Sequence, residues 1–476
     1  MKKYLFFLYC FFTMSGMAQT VDISEDIYVG NTEGYGIIGK MNDRILFYHL
    51  DNGVVKCRAY DAKMRKIWER DLEADRKNTA KILDIVGNKT DFSVIYQYRK
   101  KNRNVIKIQK YDGQVKLLDS ASVCEWSQEL GSPTLHLQVS EDKKSVLIYE
   151  IISHNRIKAA AISLDSLKTK WVETFDTPNW NSNDDHFEQI IFTNQYDVFF
   201  IREEDILREK HRFEVSKYSI EDGKTRFSLP LNGYPHLETK FSFDNINRHL
   251  VAVALYYSKN MAKAIGYLSF IIPLDYKEND PLSIHVKAFD DEFVTAFIGK
   301  KTTDNKGLVD LRVQEIVHRR DGGFLAIIEQ VKIVQRRITE NPLGRYYAHT
   351  EINNILMDYY LDNIFAVSIG SDGITHWKSI FYKKQFSQSD DGRYSSYCLV
   401  KTPSSLRFLF NDDIERATTV SEYTLNSVGE TARHSIMNTA GQDVLLRFHD
   451  AVQVGANEVI VPSDDRRHVK LLRIQF

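Results

Sequence analysis

One hairpin recurs along the chain, and its spacing constrains the fold more than any other feature. A strand ends in an aromatic or aliphatic residue, a turn with Asp or Gly follows, and the next strand opens on another aromatic or aliphatic residue. Copies are 58–68 (RAYDAKMRKIW), 109–118 (QKYDGQVKLL), 161–171 (AISLDSLKTKW), 216–227 (SKYSIEDGKTRF), 271–284, 366–377 (AVSIGSDGITHW) and 421–432 (SEYTLNSVGETA). Their anchors are Tyr60, Tyr111, Leu164, Tyr218, Leu274, Ile369 and Tyr423, and one more step reaches Ile474. Successive anchors lie 51 to 56 residues apart, except for a step of 95 between Leu274 and Ile369. A period of about 53 has room for four strands of about six residues plus turns, which is one blade of a β-propeller.

The strands themselves agree. Runs such as 44–48 (RILFY), 145–151 (SVLIYEI), 197–201 (DVFFI) and 324–328 (FLAII) are apolar on consecutive residues. A sheet buried on both faces reads that way, and blades stacked around an axis bury both faces. The expected fold is therefore all-β: a propeller of eight four-stranded blades, with seven as the next count. The blades fall at about 34–75, 79–126, 134–179, 186–233, 237–290, 308–390, 395–438 and 442–476. The last has only three strands before the chain ends, and 21–29 is a spare strand. Pairing the two closes the ring and hides edges that would otherwise aggregate. A second reading takes the terminal Phe476 as the end of an outer-membrane β-barrel. A barrel needs lipid-facing and lumen-facing residues to alternate throughout, and the run 324–328 breaks that rule.

Residues 1–18 read as a signal peptide, with Lys2 and Lys3 ahead of a short apolar run and Ala18 before Gln19. That predicts an exported chain with a single domain over 19–476, located in the periplasm, at the outer-membrane periphery or on the cell surface. Bulky Tyr9 before Cys10 speaks against a lipoprotein signal. No later stretch is apolar for long enough to span a bilayer as a helix. A net charge of −1 implies no steering toward nucleic acid. Cys57, Cys124 and Cys398 are odd in number and far apart, so they read as small buried hydrophobes.

The hairpins that carry Asp and then Trp, Asp165 to Trp171 and Asp372-Gly373 to Trp377, resemble the repeats of quinoprotein-type propellers. Quinone-binding members use a vicinal Cys pair, which this chain lacks, so no cofactor is expected. Non-enzymatic relatives, such as the propeller subunit of the outer-membrane barrel-assembly machine, are scaffolds, and the resemblance implies that role. The segment 382–397 (YKKQFSQSDDGRYSSY) is similar to uncharacterised exported propellers of gliding, type IX-secreting bacteria.

A search for chemistry finds little. HExxH, GxSxG and a full P-loop are absent. Ser371-Asp372-Gly373 faintly resembles a sialidase Asp box, but a turn explains the residues. The acidic pairs Asp184-Asp185, Asp290-Asp291, Asp390-Asp391, Asp412-Asp413 and Asp464-Asp465 could hold calcium, or serve as turn and cap residues. Histidines are scattered singly.

The unequal loops are more informative. With strands A to D running from the axis outward, the A–B and C–D turns are mostly short. The long connections are B–C or D–A: 202–212, 258–263, 292–307, 335–359 and 381–393. The 95-residue step thus resolves into two insertions, at about 291–307 and 335–360. Within 348–361, Ile352, Ile355, Leu356 and Tyr359 have helical spacing. Arg345, Tyr346, Tyr347, Lys383, Lys384, Arg393 and Tyr394 are expected to form one patch on that face, since Tyr and Arg dominate interface hot spots. The functional expectation is a non-catalytic scaffold bound to another cell-envelope protein. A glycan ligand, and with it a glycan hydrolase or lyase at the axial opening, is the alternative.

Overall fold

The structure, a computed structural model, describes residues 19–476 apart from 31–33, 52–53, 73–79, 101–102, 128–134, 153–155, 177–185, 205–211, 232–235, 259–261, 279, 301–306, 338–354, 413, 415–418, 440–443 and 466. Eight antiparallel sheets follow one another, spanning 35–72, 81–127, 136–176, 186–230, 236–288, 311–388, 398–438 and 452–475. In blade one, strands A to D are Tyr35–Met41, Arg44–Asp51, Val54–Tyr60 and Lys66–Leu72, hydrogen-bonded in that order. The A strands of blades one to three, of blades four to six, and of blades eight and one touch. This is an eight-bladed β-propeller.

Its ring closes as the sequence implies. The last blade supplies Val452–Gly455, Glu458–Asp465 and His468–Gln475, and the outer strand comes from the other end of the chain. Thr20–Ile23 pairs with the last strand from Gln475 to Leu472, and Ile27–Tyr28 pairs with Val469 and His468. Between them the hydroxyl of Ser24 accepts from the Leu471 N–H at 2.9 Å, so the break in the strand leaves no orphan donor there.

Cores lie between blades. Phe213, Phe241 and Phe270 pack the gap between blades four and five, and Val251, Phe324 and Phe365 that between blades five and six. Trp68, Trp171 and Trp377 are equivalent residues of strand D. Each faces a small residue of strand C (Ala59, Ala161, Ser368) beside a β-bulge and packs onto the next blade. Trp171 donates to Tyr196 O at 2.9 Å and Trp377 to Ser427 O at 3.2 Å, both in the following blade. Trp171 is buried, whereas the other two are half-buried.

Two local expectations fail. The stretch 355–361 is strand, not helix: Ile355–Ile369 is strand C of blade six, paired with Phe324–Arg337. Tertiary pairing supplies a ladder partner for each residue, and that outweighs a helical spacing of four apolar side chains. Conversely, Asp291–Ile298, read as loop, is a helix. Asp290 caps it by accepting from Phe293 N at 2.7 Å, and Gly299 ends it at φ 71°. Phe293, Val294 and Phe297 bury its apolar face against Phe365. The Ser371-Asp372-Gly373 stretch is a turn, in which Asp372 accepts from Ile374 N at 3.0 Å.

Candidate functional site: the blade-six extension

The blade-six sheet does not stop where the other blades do. Strand B, Phe324–Arg337, and strand C, Ile355–Ile369, keep pairing past a register shift at Glu329/Val331 and reach Arg337↔Ile355. Strand D, Thr375–Phe381, breaks at residues 382–384 and resumes as Gln385–Gln388 against 358–361. The B–C insertion and the segment after strand D therefore meet as one three-stranded sheet on the B–C and D–A face. The Tyr360 and Phe386 rings lie side by side, 5.0 Å apart and tilted by 41°, and Gln388 Nε2 donates to Asp358 at 2.7 Å.

A buried ion pair holds the joint between blade and extension. Glu329 lies in an otherwise apolar run of strand B and is fully buried. Its Oε1 is 2.6 Å from Lys383 Nζ, with side-chain exposures of 0% and 1%. Its Oε2 accepts from Gln314 Nε2 at 2.8 Å and from Ser396 Oγ at 2.9 Å. Lys383 Nζ also donates to Leu361 O at 2.6 Å and Gln385 Oε1 at 2.8 Å. Both charges are thus paired and hydrogen-bonded, as burial demands. Burial pulls the Lys383 ammonium below its usual pKa, against the pull of Glu329. Burial also pushes the Tyr397 phenol well up, with the Glu329 charge adding to it.

Beyond the joint, the extension has a small core of its own. Val331, Met357, Tyr359 and Leu361 cluster on one face. The loop after strand D lies over them, with Gly392 beside the Tyr359 ring and Tyr359 OH bonded to Asp391 at 3.4 Å. The other face carries a groove of about 550 Å³ lined by Asp310, Gln330, Lys332, Val334, Arg336, Asp358, Tyr360 and Asp362. Arg336 grips Asp358 with two nitrogens and holds that carboxyl below its usual range, whereas burial raises Asp362.

The seven residues expected to form one patch part company. Lys384 and Arg393 are exposed, and Arg393 Nε donates to Asp390 O at 2.9 Å. Tyr394 is half-buried and donates to Asp464 Oδ1 at 2.8 Å, tying the loop to blade eight. Lys383 is a correction: it is interior, because the break in strand D turns it inward onto Glu329, and it cannot meet a partner. Arg345, Tyr346 and Tyr347 lie outside the described residues. Glu329, Gln314, Gln385 and Ser396 were missed. The one available signal was a carboxylate inside an apolar run, and it does not say which cation answers.

A second polar cluster sits at the axial end with the short turns. Ser242 and Asp244 are on strand A of blade five, His236–Asp244, and His318 ends strand A of blade six, Leu311–His318. Ser242 Oγ is 2.7 Å from His318 Nε2. Asp244 Oδ2 is 3.8 Å from both His318 Nδ1 and His249 Nε2. Asp244 also accepts from Ile246 N, Asn247 N and Asn247 Nδ2 at 2.8–2.9 Å, which locks the A–B turn. Burial lowers both imidazole pKa values and Asp244 opposes it. The donors on Asp244 make it a turn anchor. Among the described residues, no group of three His, Cys, Asp or Glu is arranged to hold a metal ion. Where described, Asp290 is a helix cap and Asp390 a turn residue that accepts from Gly392 N and Ser387 Oγ, whereas Asp464 lies in a strand and binds Arg447 and Tyr394.

No family model matches the chain, and no curated protein matches it. Among solved structures it is similar to the Dos1 propeller, at 8% identity over 96% of this chain and 95% of that one, with a TM-score of 0.44. It is also similar to the β-propeller domain of Nup133 from Vanderwaltozyma polyspora, at 9% identity over 83% and 99%, with a TM-score of 0.40. A third is dipeptidyl peptidase 4 from Porphyromonas gingivalis, at 11% identity and a TM-score of 0.45, where the match covers 92% of this chain but 56% of the peptidase. At these identities the likeness concerns the fold alone. No helix among the described residues is long and apolar enough to cross a membrane.

Proposed function

We propose that the chain is an exported, non-catalytic binding propeller of the cell envelope, and that the blade-six extension is its partner-facing element. The observation that supports this is the extension itself: a sheet continued past the ring, fixed at its root by a paired Glu329 and Lys383, with its own core and an open groove. Rigid protrusions on a closed scaffold are where propellers can vary without disturbing the ring, and such loops usually carry binding. The partner is another envelope protein, in keeping with the signal-like start of the chain and its similarity to scaffold propellers. The test is a pull-down from native envelope extracts with the intact chain and a variant lacking residues 335–359. The variant should keep the cooperative melt of the ring and lose the partners. If it keeps them, the extension is not the binding element. Fractionation of the producing cells checks export: chain confined to the cytoplasm would overturn that part of the reading.

A further inference from the structure

Among the described residues, the extension has a strand position without a neighbour. Strand A of blade six pairs with strand B only from Leu311↔Gln330 to His318↔Phe324. Just before Leu311 the chain turns away: Asp310 has φ 58°, and Leu308 exchanges two 2.8 Å backbone hydrogen bonds with Ala264 of blade five. Strand B nevertheless runs on to Arg337, so its edge from Val331 onward has no neighbour among the described strands.

The parity of that edge is readable. Val331 N–H donates to Asp310 O at 2.6 Å, on the vacant side. Successive residues alternate, so Ile333 and Gln335 also aim their N–H and C=O into the vacant lane, while Lys332, Val334 and Arg336 bond to strand C. The far side agrees: Met357, opposite Gln335, gives its carbonyl away from strand B, to Ser389 N at 2.8 Å. Beside the lane lies the groove, with Lys332 exposed on it. On the opposite face Ile333 is 41% exposed, next to the small core of Val331, Tyr359 and Leu361.

We infer that this lane binds an extended peptide segment of a partner protein by strand addition, in line with strand A. This rests on the binding reading above and names its chemistry. Main-chain bonds to Ile333 and Gln335 would supply the pairing, and alternate side chains the selectivity. One face of the peptide is apolar, to cover Ile333; the other sets an acidic residue opposite the exposed Lys332, clear of Asp310 at the end of the lane and of Asp362 across the groove. A second copy of this chain is a poor occupant. Self-pairing of 331–337 would set Lys332 and Arg336 against each other, and like charges across strands destabilise.

The test uses a displayed library of linear twelve-residue peptides selected on the intact chain. Peptides of alternating apolar and acidic residues should be enriched, and should slow amide exchange at Ile333 and Gln335. Gln335→Pro removes one donor of the lane and spares the bonds to strand C; it should weaken them about tenfold. Lys332→Glu leaves the backbone alone and should weaken the same peptides. Strand addition is overturned if no peptide is enriched, if those enriched bind Gln335→Pro equally, or if they protect other amides. Envelope partners that need residues 335–359 but ignore Gln335→Pro would also overturn it, while leaving the scaffold reading intact.

Discussion

Replacing Lys383 by Met should show what the joint is worth. The substitution removes the cation 2.6 Å from Glu329 and leaves a fully buried carboxylate with two neutral donors, Gln314 and Ser396. Deleting one partner of a buried ion pair costs roughly 3–5 kcal/mol, because the other charge is left uncompensated in the interior. The double variant Glu329→Gln with Lys383→Met should regain most of the loss. Urea unfolding, with amide exchange at Val331–Arg337 and Gln385–Gln388, separates loosening of the extension from loss of the whole ring. A Lys383→Met variant as stable as the parent, or a double variant no more stable than Lys383→Met alone, would refute the reasoning.

Three further outcomes are expected. Trp171→Ala should cost about 3–5 kcal/mol, because the ring is buried against Tyr218 and Phe175 and its N–H bonds to Tyr196; the half-buried Trp377 should cost less in the same thermal melts, and equal losses would contradict the packing. The folded pKa values of His249 and His318 are lowered, so their contribution is fully present above about pH 6.5 and is lost as pH falls from there through the folded values; a His249→Gln, His318→Gln variant should show a flatter melting temperature over that window, and an unchanged slope would count against it. Removing residues 20–28 uncovers the edge of the last strand, so the shortened chain should melt lower and associate in sedimentation runs, and a monomer of unchanged stability would show that the closure is dispensable.

Much of the ring was legible in the residues. A period near 53, anchored by Tyr60, Tyr111 and Tyr423, specifies repeating sheets, because each blade needs a similar turn and a large aromatic or aliphatic side chain at the same place. Even the closing strand follows, since three strands at one end and a spare at the other complete a sheet. The helix at Asp291–Ile298 was also within reach: Asp290, the first-turn acids Asp291 and Glu292, Phe293 with Phe297, and Gly299 spell its start, face and stop.

What the sequence alone determined is therefore the local and repeated: strand period, turn chemistry and the blade count. Only the tertiary structure decided the fate of single residues in and around blade six. Lys383 and Lys384 are neighbours of the same type, yet one is sealed inside against Glu329 and the other faces solvent. Ile355–Tyr359 has a helical spacing but lies in a strand, because Arg337–Ile333 runs alongside it. The physical reason is common to both. The cost of burying a charge, or of leaving a ladder unpaired, depends on which other segment supplies the partner, and pairing between segments separated in the chain leaves no mark on either segment by itself.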